Sequence, residues 1–487
     1  MTYLGIDIGT SAVKTVLVND EQKLISQSSV PLKISRSKKL WSEQNPEDWW
    51  LATCLAIENV KKNNKSALAA LKAIGVTGQM HGAVCIDKNN KPLRPAILWN
   101  DGRSYQECDI LNNHPADFKG INGNTVMPGF TAPKLLWIQQ HEAKIFNKIY
   151  KVLLPKDYIR FKLSQDYATD LSDASGTSWL DVGNRCWSER LLAATKLTIE
   201  QMPKLFEGTE VTGELSSDLA SQWGTSKNVK IIAGAGDNAA GAVSLGIIEP
   251  NRAMLSIGTS GVYFVPCMEF KPNPEKGFHT FCHCIPNKWH QMGVILSAAS
   301  CFSWWLKITG EKTENRLITE VKRSGSLRNV PIFLPYLSGE RTPHDNPFAQ
   351  GVFFGITHDT NRLALTQAVL EGVAFAIADC QAVLKEAGTE TTQVSVIGGG
   401  AKNKYWGTIL ANIINKTLLY HNESELGPAF GAARLAIIGD LNVPVDEIAT
   451  FPKIGHTINP NQREHENYMV RFELYRKIYQ QLRPSFC

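Results

Sequence analysis

One short pattern occurs twice in this chain, and it constrains the fold more than any other feature. Residues 3–8, Tyr-Leu-Gly-Ile-Asp-Ile, form an apolar run carrying a single acid; Gly9-Thr10-Ser11 and a second apolar run, Ala12 to Val18, follow. Residues 253–264, Ala-Met-Leu-Ser-Ile-Gly-Thr-Ser-Gly-Val-Tyr-Phe, repeat the arrangement, with Ser256 where the acid stood. Each copy reads as two strands joined by a polar hairpin bend. Recurrence at the head of each half implies an internal duplication. At 487 residues the chain also exceeds the size at which a single core keeps growing. Two α/β domains are therefore expected, residues 1–247 and 248–487.

The repeated bends suit anions. Glycine lets a backbone approach a ligand closely, and the neighbouring N–H groups and hydroxyls can bind phosphate oxygens, so Gly9, Thr10, Gly258 and Thr259 are candidate phosphate contacts. Facing each other across a cleft, the two loops would hold a polyphosphate from both sides. Asp7 can hold Mg²⁺ directly or through water; equally, it can simply close a hairpin. A second carboxylate stands out at residues 229–247, where a β-branched run, Gly234-Ala235-Gly236 and a small-residue run predict strand, tight turn and closely packed helix. Asp237 falls at or near that helix's N-cap. The positive end of the helix dipole is expected to keep it ionised near neutral pH and able to accept a proton.

Other strand ends carry further candidates. Gly78-Gln79-Met80-His81-Gly82 places a histidine between glycines, accessible and able to donate to a hydroxyl-rich ligand. Trp99, Asn100, Asp101 and Arg103 follow another apolar strand and suit a sugar pocket, or equally a core tryptophan followed by a turn. Gly398, Gly399 and Gly400, ahead of Asn403, would let the backbone lie against a flat base and ribose. Residues 104–226 read as an insertion carrying substrate contacts. The helix over residues 363–385 reads as packed and structural, and the last fifty residues as peripheral helix.

Several classes are excluded or disfavoured. Lys plus Arg exceed Asp plus Glu by only 51 to 46, without a concentrated basic run, which argues against nucleic acid or an anionic membrane as partner. The beginning of the chain lacks a signal-like segment, and no later stretch approaches about 18 uninterrupted apolar residues; a cytoplasmic protein is expected. Ten scattered cysteines fit reduced thiols. His279, Cys282, His283 and Cys284 lack the paired spacing of zinc sites. A Walker A loop needs Gly-Lys, a pair that occurs nowhere in the chain. Gly234-x-Gly236-x-x-Ala239 matches a dinucleotide fingerprint, but it lies mid-chain, puts a carboxylate where pyrophosphate should sit and has no acid about 20 residues on.

What remains is a duplicated pair of hairpins, an acid on the first strand and a glycine-rich loop near the C-terminus. Here the chain resembles the sugar kinase, actin and Hsp70 class of ATPases, and within it the FGGY carbohydrate kinases. The likeness runs through Asp7-Ile-Gly-Thr-Ser, Leu40-Trp-Ser-Glu-Gln, Gln79-Met-His-Gly, Ile97-Leu-Trp-Asn-Asp-Gly-Arg, Leu154-Pro-Lys-Asp-Tyr, Gly236-Asp-Asn-Ala-Ala-Gly, Leu255-Ser-Ile-Gly-Thr-Ser-Gly and Leu334-Pro-Tyr-Leu-Ser-Gly-Glu-Arg-Thr-Pro. The resemblance implies duplicated RNase H-like domains facing a central cleft, with a sugar and ATP as small-molecule partners, and Mg²⁺. It implies Asp237 as base, Asp7 as Mg²⁺ support, and Met80, His81, Trp99 and Asn238 as substrate contacts. Gly9, Thr10, Gly258 and Thr259 would hold phosphates, and Gly399, Gly400 and Asn403 adenosine, with Trp304 walling the base. The Met80-His81 pair points to D-xylulose rather than glycerol, giving the 5-phosphate that links xylose catabolism to the pentose phosphate pathway. Ala364 departs from the polar residue usual at that place in the family's C-terminal signature. Closure of the cleft on sugar is expected, and a homodimer is left open.

Overall fold

The computed structural model describes residues 1–325, 329–422 and 427–486. Two sheets of one design carry it. In the first, β1 (Thr2–Ile8), β2 (Ala12–Asn19) and β3 (Leu24–Pro31) form an antiparallel meander. Helix α1 (Pro46–Asn63), capped by the Asn45 side chain, crosses over to β4 (Leu71–Gly78), which runs parallel to β1. β5 (Val211–Glu214) and β6 (Lys230–Gly236) complete the order β5-β6-β4-β1-β2-β3. β1 is buried along its whole length, as a central strand covered on both faces must be.

The second sheet contains β7 (Asn251–Ile257), β8 (Gly261–Cys267), β9 (His279–Cys282), β10 (Trp289–Ile295), β11 (Thr391–Ile397), β12 (Thr417–His421) and β13 (Ile454–Ile458). Its order is β9-β10-β8-β7-β11-β12-β13. From the outer antiparallel strand through two parallel neighbours to the meander, the two sheets match strand for strand; β9 is the addition. The duplication read from two hairpins thus extends over six strands in each half.

Two small-residue helices hold the halves together. α2 (Asp237–Ser244) follows β6, and α6 (Gly427–Leu441) occupies the equivalent place after β12. Each reaches the other half. The alanines of α2 share a core with Met254, Val262, Phe264 and Met292 of the second sheet. α6 lies on the first sheet so closely that a Cβ on Gly5 would come 1.8 Å from the Ala429 carbonyl oxygen, and one on Gly75 2.0 Å from that of Ala432. The helices also touch each other, since a Cβ on Gly431 would fall 1.8 Å from the Ala240 oxygen.

Helices α3 (Ala299–Thr309), α4 (Arg362–Glu386), α5 (Lys404–Ile414) and α7 (Gln462–Leu482) surround the second sheet. Among the described residues only α4 is long and apolar enough to cross a membrane, and it is almost wholly enclosed in this core. Glu371 on α4 pairs with Arg471 at 2.6 Å, a structural role. The last fifty residues are more than a peripheral helix. β13 forms a sheet edge, and α7 buries Phe472, Tyr475 and Tyr479, with the Tyr475 hydroxyl 2.6 Å from that of Tyr336. Polar residues spaced along α7 hide this aromatic stripe from a composition-based reading.

Candidate active site

A cleft of about 800 Å³ opens between the two sheets. The first half contributes Lys14, Asp237, Asn238 and Gly241; the second contributes Ser256, Ile397, Gly398, Gly399, Tyr420, His421, Asn422 and His456 among others. Asp237 is the first residue of α2, with Gly236 as N-cap, one place on from a capping position. Burial outweighs the helix end and raises its carboxyl from 3.8 to about 6. The expected firmly ionised acid is therefore a stronger base than the dipole argument implied. Asn238 donates its side-chain N–H to Asp237 Oδ1 at 2.9 Å. Behind the turn, the Gly236 N–H donates to Ser172 Oγ at 3.1 Å, and that hydroxyl donates to Asp170. Asp170 lies 2.9 Å from the fully buried Lys156, which also meets Asp157 at 2.5 Å and Asp173 at 3.6 Å.

Asp7 lies near the end of β1, opposite Lys14 on β2. Burial, then the nearby charge of Asp237, raises its carboxyl to about 7, with Lys14 pulling the other way. Its Oδ1 is buried without a hydrogen-bond partner. Two carboxylates in mutual repulsion, one with an orphaned oxygen, suit a hard cation or its water shell. Sequence reasoning missed Lys14, although a lone charged residue in the largely apolar run Ala12 to Val18 was a usable signal. It also missed Tyr420, His421, Asn422 and His456, which no local motif marks.

His81 is held in a left-handed backbone conformation, φ +66°. Its carbonyl accepts from the Lys134 ammonium at 2.8 Å and the Thr131 hydroxyl at 3.1 Å, and its ring stacks on Phe130 at 4.8 Å. Burial, then Arg341 and Lys134, holds the imidazole neutral, well below its ordinary value. Nδ1 lies 2.8 Å from the Gly176 carbonyl oxygen and must carry the proton. Nε2 is then an acceptor, so the expectation that this histidine donates to a ligand is corrected. Met80 packs against Gly236, where a Cβ would meet its sulfur at 2.9 Å, bringing the Met-His loop beside the Asp237 turn.

The remaining predicted residues divide. The Thr10 hydroxyl donates to Gln79 Oε1 at 3.1 Å and accepts from the Trp99 indole N–H at 3.0 Å, which ties the first hairpin bend to the Met-His loop. It is committed within the protein, leaving the Gly9–Ser11 backbone for a ligand. At the second bend the Gly258 and Thr259 carbonyls accept the Ala299 and Ala298 N–H groups at 2.9 Å, anchoring it to the start of α3. Gly399 faces the cleft with open space at its Cα, whereas a Cβ on Gly400 would meet Ile257 at 2.6 Å. Asn403 caps α5, accepting from the Tyr405 and Trp406 N–H groups. Trp304 is not gathered to the cleft; it stacks on Phe333 at 6.0 Å because packing on an apolar ring buries its face. Asp101 and Arg103 form a buried structural pair at 2.7 Å rather than a pocket wall. The insertion does reach the site, through Phe130 and Gly176.

A buried carboxylate at a helix start, in a cleft between duplicated sheets with glycine-rich loops on both sides, places the chain in the two-lobed class of sugar kinases and actin-like ATPases. The chain belongs to the FGGY family of carbohydrate kinases: the family's N-terminal domain matches residues 2–244 and its C-terminal domain residues 253–439. It is 47% identical to the xylulose kinase of Escherichia coli K12, over 99% of both chains. A kinase structure from Brucella ovis superposes with a TM-score of 0.95 at 45% identity, covering 99% of this chain and 100% of that one. The gluconate kinase of Lactobacillus acidophilus gives 0.93 at 25% identity, covering 100% and 99%. Kinases named for different sugars thus share this fold.

Proposed function

We propose that the protein transfers the γ-phosphoryl group of ATP to the C5 hydroxyl of D-xylulose, giving D-xylulose 5-phosphate and ADP, in the cytoplasm. The observation that carries this reading is the seating of Asp237. Its carboxyl pKa is raised to about 6 by burial, and the group is held by Asn238 and lies in the cleft beside the Met80-His81 loop. Near-full-length identity to a xylulose kinase supports the choice of sugar.

In a loose phosphoryl transfer the protein mainly positions groups and offsets charge. Asp237 accepts the proton of the attacking hydroxyl late in the transfer and orients it beforehand, and His81 Nε2 accepts a hydrogen bond from another sugar hydroxyl. Backbone N–H groups of both hairpin bends hold phosphate oxygens, and Lys14 offsets their charge from the cleft wall. Asp7, with its unpaired oxygen, would hold Mg²⁺ directly or through water, an ion that neutralises polyphosphate charge when bound. ADP release in the presence of D-xylulose, L-xylulose, D-ribulose, L-ribulose, gluconate or glycerol, against a blank without sugar, tests the proposal. Preference for D-xylulose is expected. A different preferred sugar would overturn the substrate, and turnover in the blank alone would overturn the kinase reading.

A further inference from the structure

The second half also sends one side chain toward the sugar side of the site. Arg341 lies in the loop after Leu334, and both of its neighbours are pinned. The buried Glu340 carboxylate accepts from the Arg341 N–H at 2.8 Å and the Leu296 N–H at 2.9 Å. Thr342 exchanges bonds with Val294 in both directions at 3.0 Å, and its hydroxyl donates to the Gly277 carbonyl at 2.8 Å. Such anchoring fixes where the arginine between them points.

It points across the domain boundary. A Cβ on Gly129 would lie 2.7 Å from Arg341 Nη2 and 2.5 Å from the Trp99 carbonyl oxygen, so glycine at 129 makes room for the guanidinium beside Trp99. Nη1 lies 3.5 Å from His279 Nε2, and His279 packs on Phe130, the ring that carries His81. Its charge is felt at both His81 and Lys134. Among the described residues no carboxylate forms an ion pair with it. A rigidly held, donor-only fork, near the charges of Asp345 and Glu340 but ion-paired with neither, and set beside the Trp99 and His81 region, is arranged to meet acceptor oxygens of a ligand.

We propose that Arg341 is a specificity-determining residue of the sugar site, its guanidinium donating to the C2 carbonyl oxygen of the ketose and to an adjacent hydroxyl. This rests on the functional reading above. A ketone oxygen accepts but cannot donate, so only a donor satisfies it; His81 Nε2, an acceptor, complements this by taking a hydroxyl proton. Because the arginine belongs to the second half, it also makes the sugar a bridge between the lobes.

The test compares Arg341→Gln, Arg341→Lys and Gly129→Ala with the wild type, using steady-state kinetics for D-xylulose and ATP, inhibition constants for xylitol and D-arabitol, and thermal melting. Arg341→Gln is expected to raise KM for D-xylulose tenfold or more, leave KM for ATP within twofold, and weaken the two polyols by a smaller factor. Arg341→Lys should recover part of the loss, and Gly129→Ala, which crowds both the guanidinium and the Trp99 carbonyl oxygen, should lose at least as much. An unchanged KM for D-xylulose in folded Arg341→Gln would overturn the proposal, as would equal losses for ketose and polyols or a defect confined to ATP. If Arg341→Gln does not fold, Arg341→Lys decides by the same criteria. If the wild type does not phosphorylate D-xylulose, the functional reading falls, and the same comparison with the sugar it does accept still tests the arginine contact.

Discussion

Asp7 and Asp237 behave differently from isolated carboxylates because folding takes both out of water. Asp7 is raised to about 7, by burial first and then by Asp237, and between its ordinary value of 3.8 and about 7 the folded protein holds a proton that the unfolded chain has released. The fold is therefore penalised increasingly as pH rises through that window. Asp7→Asn is expected to stabilise the free protein at pH 8 by about 1–3 kcal/mol, with little effect near pH 4, while kcat falls by roughly 100-fold or more. Thermal melts at both pH values check this, and a less stable variant at pH 8 would show that the carboxylate makes contacts the fold needs. For Asp237, kcat/KM should climb with pH through about 6 as the base ionises. A rate flat from pH 5 to 8 would remove it from that role. The residue types and strand-end positions of both acids were legible in the sequence. Their proton affinities were not, because burial is set by residues far away in sequence, as the tautomer of His81 is set by Gly176.

Among the elements, the hairpins and strands were readable because strand register and glycine-rich bends are local. The exchange of α2 and α6 between the halves was not: their small residues predict close packing, but nothing local says against which sheet. Gly75 is one of the close approaches in this exchange, facing the Ala432 carbonyl oxygen on α6. Gly75→Ala would place a Cβ 2.0 Å from a backbone atom that has no flexible end to give way. A loss of about 3 kcal/mol is expected, at the upper end of what overpacking a core usually costs. Denaturant unfolding measures it. Wild-type stability would mean that α6 can lift off the first sheet without cost, and the account of the helix exchange would then be wrong.

At the scale of the molecule, the halves are joined unevenly. On the insertion side, the Asn124 side chain completes the edge of β9, accepting from the Thr280 N–H at 2.9 Å and donating to its carbonyl at 3.0 Å. Ser175 Oγ accepts from the Cys282 N–H at 3.0 Å, and the Thr125 hydroxyl donates to the Pro274 carbonyl at 2.7 Å. These stitches lie on the same side as Phe130, His279 and Arg341, whereas the cleft between Lys14 and His456 is open. Sequence reasoning expected sugar to close the cleft. If the stitched edge serves as the hinge, only the open side of the cleft is left to move. Small-angle scattering should accordingly show little change in radius of gyration with D-xylulose alone, and a decrease when a non-hydrolysable ATP analogue is added with it. An equal decrease with sugar alone would mean that the stitches open and re-form during the cycle. The hinge would then lie in the contact between α2 and α6, where small residues let two helices slide without unpacking a core.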